Sequence, residues 1–214
     1  MIRWLLRLPL KASMLGFKRG PHVIRYAMYR RLADFRCPNP AGMKVLSISR
    51  SQPLCHLLGF TDDQITDASY PAVSVLDLPY PDASFDYVVS DQVLEHVEGS
   101  PERAVAECFR VLKPGGVAVH TTCFINPIHG YPYDFWRFAP KSLEVLCRGK
   151  GDVIEAAGWG NRFVWLYAEI GMRFEPIPEA KWHPLNWLAR KNSQEWPIST
   201  WVVAKKFESD AVRA

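Results

Sequence analysis

Between Asn126 and Pro140 the chain gathers a histidine, two tyrosines, an aspartate and an arginine into one proline-punctuated stretch, Asn-Pro-Ile-His-Gly-Tyr-Pro-Tyr-Asp-Phe-Trp-Arg-Phe-Ala-Pro. His129 has the side chain suited to take a proton from a hydroxyl near neutral pH, provided the hydroxyl comes within hydrogen-bond reach. Tyr131 and Tyr133 offer rings that suit a sugar face or a planar acceptor, and Asp134 and Arg137 offer charge. His129 and Asp134 are therefore the candidate catalytic pair. A second reading competes with the first: Trp136 and Phe138 pack on a sheet, and Asp134 and Arg137 form an ion pair that plugs the structure. For Trp136, Arg137 and Phe138 this structural reading is preferred. His96, in Glu95-His96, is read as a packed, hydrogen-bonded residue rather than a base. Five cysteines without a C-x-x-C spacing and six histidines without an H-E-x-x-H pattern argue against disulfides and against a metal site. A reducing, cytoplasmic setting is expected on the same grounds.

These residues need a scaffold, and 214 residues with 48% apolar and 22% charged content suit one globular unit. Met43–Ser49 is apolar enough for a central parallel strand, followed by a short helix through Leu54, Leu57 and Leu58. A strand near Gln64–Thr66 is a weaker expectation. Phe85–Asp91 is a strand. Ser100-Pro101 starts a helix, with Ser as N-cap and Pro in the first turn. Val105, Cys108, Phe109 and Leu112 give that helix one buried face. Lys113-Pro-Gly-Gly116 closes it, and Val117–Thr121 is the next strand, which completes a βαβ unit and implies a parallel sheet. Residues 141–148 are expected to be helical, Thr200–Lys205 a last strand and the final eight residues a frayed tail. Upstream, Ile24, Met28, Leu32 and Phe35 make one helical stripe, ended by Cys-Pro-Asn-Pro at 37–40.

Two segments resemble the middle of class I S-adenosylmethionine (SAM)-dependent methyltransferases: Leu76-Asp-Leu-Pro-Tyr-Pro-Asp-Ala-Ser-Phe-Asp-Tyr-Val-Val-Ser-Asp-Gln-Val-Leu-Glu-His-Val97 and Glu107-Cys-Phe-Arg-Val-Leu-Lys-Pro-Gly-Gly-Val-Ala-Val119. The resemblance implies an α/β fold: a Rossmann-like, seven-stranded, mostly parallel sheet with helices on both faces, here preceded by a helical N-terminal arm. The cofactor would lie across the carboxyl ends of the strands. By position, Asp77, at the end of a strand, would accept from the adenine amino group and the Leu78 backbone would meet the adenine edge. Asp91 and Gln92 would lie by the methionine half and the reacting centre. Asp67, 20 residues past Ser47, would hold the ribose hydroxyls, with Asp62 and Asp63 as rivals. The loop at 126–140 would overhang the mouth of the site.

One departure stands out. Where the family has a glycine-rich loop after the first strand, this chain reads Ser47-Ile-Ser-Arg-Ser-Gln-Pro53. The three glycines and the acid are absent, although glycine serves there because the backbone turns tightly and approaches the ligand. Ser47, Ser49, Arg50 and Ser51 are the cofactor-loop candidates, with Arg50 placed to meet the methionine carboxylate.

The expected function is O- or N-methyl transfer from SAM to a small-molecule or glycan acceptor, with S-adenosylhomocysteine as product. The alternative is a catalytically inactive binding or scaffold protein on the same fold. Residues 1–42, with nine Lys/Arg and one acid, read as a basic helical arm of the same unit, and 43–206 as the catalytic domain. Residues 1–20 could touch a membrane surface, with Trp4, Leu5 and Leu8 inserted and Arg3, Arg7 and Lys11 on phosphates. Trp159, Trp165, Trp182, Trp187 and Trp196 mark an aromatic insert at 159–196, a lid or a homodimer face. Basic residues interleaved with apolar ones, on an acidic body, argue against nucleic acid.

Overall fold

The computed structural model describes residues 2–130 and 133–208. Tyr131 and nearly all of the expected C-terminal tail lie outside the described residues. In chain order the elements are α1 (Ile2–Ser13), β1 (Arg19–His22), α2 (Val23–Leu32), β2 (Val45–Ile48), α3 (Gln52–Leu57), β3 (Ile65–Ala68), β4 (Phe85–Asp91), α4 (Pro101–Val111), β5 (Leu112–Cys123), α5 (Pro140–Cys147), β6 (Gly151–Trp159), α6 (Arg162–Tyr167), β7 (Pro176–Pro178), α7 (Pro184–Arg190) and β8 (Ser199–Lys206).

Six strands form the central sheet in the order β3-β2-β4-β5-β8-β6. The first four run parallel, and β8 runs antiparallel to both of its neighbours. The expected Rossmann-like sheet is present with six strands rather than seven. The segment before Leu78 was expected to carry a strand ending at Asp77. It forms a loop instead, held by an isolated bridge between Ser74 and Asp77. Strand β2 is buried along its whole length, as a central parallel strand should be. Helix α4 begins as its sequence dictates, with the Ser100 hydroxyl accepting from the Arg103 N–H at 3.1 Å.

Side chains alternate across the sheet, so two cores form, one on each face. Val88, Ala118, Val202 and Ala204 pack with Val105, Cys108 and Phe109 of α4 and Leu143 and Leu146 of α5. Val89, Val119, Trp201 and Val203 face the other way, onto Val23, Ile24, Tyr26, Met28 and Leu32 of α2 and Leu54 of α3. That second core also contains Trp159, Val164, Tyr167, Met172, Ile177 and Leu185 from the Trp-rich region. The pairing of β1 with β7 ties the N-terminal segment to this region as well. Residues 151–159, which show no clear strand pattern, form edge strand β6 beside β8.

Candidate functional site

The turn that leaves β2 keeps the geometry of a glycine loop without glycine. Ser49 has φ 51° and Arg50 has φ 65°, both in the left-handed region that favours glycine. Hydrogen bonds fix this turn. The Ser51 hydroxyl donates to Ile48 O at 2.5 Å and accepts from the Asp91 N–H at 2.8 Å, which joins the loop to the end of β4. Ser49 N–H donates to Ala68 O at 2.9 Å. Arg50 is exposed and does not fill the turn.

Ser47 and Asp67 are register partners on β2 and β3. The Ser47 hydroxyl donates to Asp67 Oδ1 at 2.7 Å, and the Arg50 N–H donates to the same oxygen at 3.1 Å. Ser69 donates to Asp67 Oδ2. An acid at position 47 would repel Asp67, whereas serine orients it. Asp67 stays solvent-accessible, and Oδ2 retains a lone pair toward the sheet's edge. The rival acids lie elsewhere: Asp62 pairs with His56 and Asp63 accepts from Thr61, both in the turn before β3.

Asp91 is not presented to a ligand as the sequence led us to expect. Its side chain is only 4% exposed. Oδ2 accepts from the Tyr29 hydroxyl at 2.5 Å and pairs with Arg25 Nη2 at 2.9 Å, while Oδ1 accepts from Thr121 at 2.6 Å. Burial first, then the Asp91 charge, push the Tyr29 hydroxyl up and keep it a donor. The carboxylate thus joins α2 to the ends of β4 and β5. Gln92 follows at φ 59°, with its N–H donating to Thr121 O at 3.0 Å, so the backbone turns sharply at the sheet's edge.

Two further assignments change. The Leu78 N–H donates to Glu107 Oε2 at 2.9 Å, and its carbonyl accepts from Arg110 Nη2 at 2.8 Å. Helix α4 therefore occupies the backbone that was expected to meet an adenine edge. Asp77 is exposed in the same loop, off the strand end where it was placed.

On the loop after β5, His129, Tyr133 and Asp134 line a cleft of about 630 Å³ with Glu98, Ile128 and Phe135. Asp134 is nearly sealed, its side chain 1% exposed. Arg137 grips both of its oxygens, at 2.5 and 2.6 Å. That charge-assisted pair is the main reason the Asp134 carboxyl falls to about 2. A carboxylate so held does not exchange a proton near neutral pH, so Asp134 is a positioning residue rather than an acid or base. It accepts the His129 N–H at 2.8 Å and lies 3.1 Å from the ring Nδ1. Pro127 O lies 3.2 Å from Nδ1 and Asn126 Nδ2 lies 2.9 Å from it. Two acceptors against one donor assign the proton to Nδ1, which leaves Nε2 with a lone pair. Burial lowers the pKa of His129, so its ring is neutral at pH 7.

Beneath the cleft lies Glu95, a residue to which sequence reasoning gave no role. It is fully buried, and burial pushes its carboxyl up to about 7. Neither carboxyl oxygen has a hydrogen-bond partner of good geometry, although Thr122 and Cys123 approach it. Its backbone carbonyl accepts from the Phe135 and Trp136 N–H groups at 2.8 and 3.1 Å, which pins the loop to the turn after β4. Phe138 is buried as expected, whereas Trp136 is 40% exposed and ties the loop down through its Nε1–H, which donates to Val97 O at 2.9 Å.

Residues 40–120 match the family described as Methyltransferase domain. A stretch of 60 residues is 48% identical to a protein of Mycolicibacterium smegmatis named "Probable S-adenosylmethionine-dependent methyltransferase". It covers 26% of this chain and 23% of that relative's own length. Among solved structures, the phosphoethanolamine N-methyltransferase 2 of Haemonchus contortus, in complex with S-adenosyl-L-methionine, superposes with a TM-score of 0.52 at 15% identity over 85% of this chain and 53% of its own. The [4+2]-cyclase SpnF superposes at 0.54 and 16% identity over 85% and 81%. These likenesses show a shared architecture, and the cyclase shows that the architecture alone does not fix the reaction.

Proposed function

We propose that this chain, whose residues 40–120 carry the methyltransferase domain, binds S-adenosyl-L-methionine and transfers its methyl group to a small acceptor. The observation that carries the proposal is the turn after β2. Ser49 and Arg50 adopt the left-handed conformation in place of glycine, and Asp67 is held beside them at the carboxyl edge of the sheet.

The ribose hydroxyls donate to Asp67. Ser49 leaves the backbone accessible, Arg50 meets the methionine carboxylate, and Gln92 borders the reacting centre, while Ser51, buried and expected from the sequence to touch the cofactor, holds the turn instead. Asp91 acts from behind by fixing the ends of β4 and β5. The acceptor is a hydroxyl- or amine-bearing small molecule or glycan. It enters the cleft beside His129, where the Tyr133 and Phe135 rings, set edge to face with centroids 6.2 Å apart, offer an apolar wall. Most of the catalysis is alignment of acceptor and methyl, with a neutral His129 Nε2 placed to receive the acceptor's proton.

Calorimetry with S-adenosylhomocysteine tests the cofactor assignment. Micromolar binding is expected, weakened at least about tenfold by Asp67→Ala. No heat with about 1 mM ligand would refute it.

The N-terminal segment has a second role. Leu5, Leu6, Leu8 and Leu15 are exposed on and beside α1, which favours contact with an anionic membrane surface.

A further inference from the structure

Glu95, His96 and His129 lie far apart in part of the sequence and together in the fold. One ligand atom from each comes within 4.8 Å of the other two. The first two sit on the single turn Leu94–His96 after β4, and the third on the loop that this turn holds down. We propose that these side chains bind a first-row transition dication, zinc by preference, beside the cleft that His129 lines.

Glu95 carries the argument. It is fully buried and both its oxygens lack a hydrogen-bond partner of good geometry, which is unusual for a carboxyl group. Of the cations near Glu95, Arg25 is paired with Asp91 and Arg137 with Asp134; Arg173 lies toward His129. The histidines are oriented as metal ligands are oriented. His96 Nδ1 lies 2.6 Å from Tyr133 O, and His129 Nδ1 faces Asp134, so each ring uses one nitrogen to fix its pose and keeps the other for a cation. The two rings stand edge to face with centroids 5.0 Å apart. Two imidazoles and one carboxylate suit zinc and its transition-series neighbours better than magnesium or calcium, which prefer oxygen alone. Ligand atoms about 2.1 Å from a tetrahedral ion stand roughly 3.4 Å apart, so closure needs only modest side-chain rotation.

A three-residue site leaves a fourth position open, and His129 places it at the cleft. There the ion would hold an acceptor oxygen and ease loss of its proton to solvent. That part rests on the methyltransferase reading. With the ion bound, the Nε2 lone pair is coordinated and His129 is a ligand instead of a base. No familiar ligand spacing links 95–96 to 129, so only the fold brings the three residues into view.

Untagged, metal-stripped full-length protein is titrated with Co²⁺, read by its visible absorption, and with Zn²⁺ against a chromophoric chelator. One equivalent per chain is expected. His129→Ala and Glu95→Gln should each weaken binding at least about tenfold. S-adenosylhomocysteine affinity of His129→Ala should not change, which shows that the variant is folded. Absence of a single-equivalent site, or equal metal affinity in wild type and His129→Ala, would overturn the proposal. Wild-type protein that binds Co²⁺ at this site but not S-adenosylhomocysteine would keep the metal site and remove the methyltransferase reading.

Discussion

An L-residue in the left-handed conformation lies about 1–2 kcal/mol above its relaxed state, because Cβ crowds the following carbonyl oxygen. Ser49 and Arg50 both sit there, one after the other, at the point where a cofactor would touch the backbone. The strain is held by the Ser51 hydroxyl bonds and by Asp67, which accepts the Arg50 N–H. Arg50→Gly should therefore raise the unfolding free energy by up to ~1 kcal/mol, even after allowance for the freer unfolded chain. It should also weaken S-adenosylhomocysteine binding, since the cation for the methionine carboxylate is gone. Urea unfolding and calorimetry on one preparation check both signs. A destabilised variant would mean that the turn is not strained as described. A more stable variant with unchanged affinity would remove Arg50 from the cofactor site. At this scale the sequence showed where the loop was and which types filled it. It could not show that serine and arginine adopt glycine's conformation, because that depends on bonds to Ile48, Ala68 and Asp91 made only in the fold.

Between elements, the Asp91 carboxylate is the joint that fastens α2 to the carboxyl edge of the sheet. Removing one member of a buried ion pair leaves the other charge and its donors without partners, and such losses cost ~3–5 kcal/mol. Arg25 is about one-third exposed, which places the expected loss for Asp91→Ala at the lower end, ~3 kcal/mol. A double-mutant cycle with Tyr29→Phe should show coupling of ~0.5 kcal/mol or more. Additive effects would show that the hydroxyl does not depend on the carboxylate. The βαβ unit from β4 to β5 was legible because period and cap agreed, although Leu112 and Lys113-Pro-Gly-Gly116, expected to finish the helix and turn, already belong to β5; α2 was legible from its apolar stripe. What α2 does at the site was not. Asp91 and Arg25 are 66 positions apart, and nothing local to either names the other. Strand β6 and the β1–β7 pair escaped for a similar reason. Gly-Asp-Val-Ile-Glu-Ala-Ala-Gly-Trp lacks alternation, and Pro-Ile-Pro becomes a strand only against residues 19–22. Glu95 was overlooked because a glutamate in a short turn looks solvent-exposed until the 126–140 loop closes over it.

Across the whole molecule, the N-terminal segment and the Trp-rich region form one layer on one face of the sheet, and α1 lies on its outside. Two of this helix's cations turn toward residues 171–175. Lys11 pairs with Glu175 and Arg7 packs over Gly171, so neither is placed for lipid phosphates as the sequence suggested. Leu5, Leu8 and Leu15 face solvent, and Lys18 and Arg19 lie exposed just beyond them. Among the described residues no helix is long and apolar enough to cross a membrane, so any lipid contact lies in the surface plane. Burying a leucine side chain contributes ~1.5–3 kcal/mol at most, so three partly inserted leucines give reversible binding that needs anionic headgroups to be strong. Co-sedimentation with phosphatidylserine vesicles should show binding that falls at least about tenfold in a Leu5→Ser, Leu8→Ser, Leu15→Ser variant and weakens with salt. Unchanged sedimentation would separate the leucines from lipid. A wild-type dimer that the same substitutions convert to monomer, with no vesicle binding in either protein, would instead assign this face to a second copy of the chain.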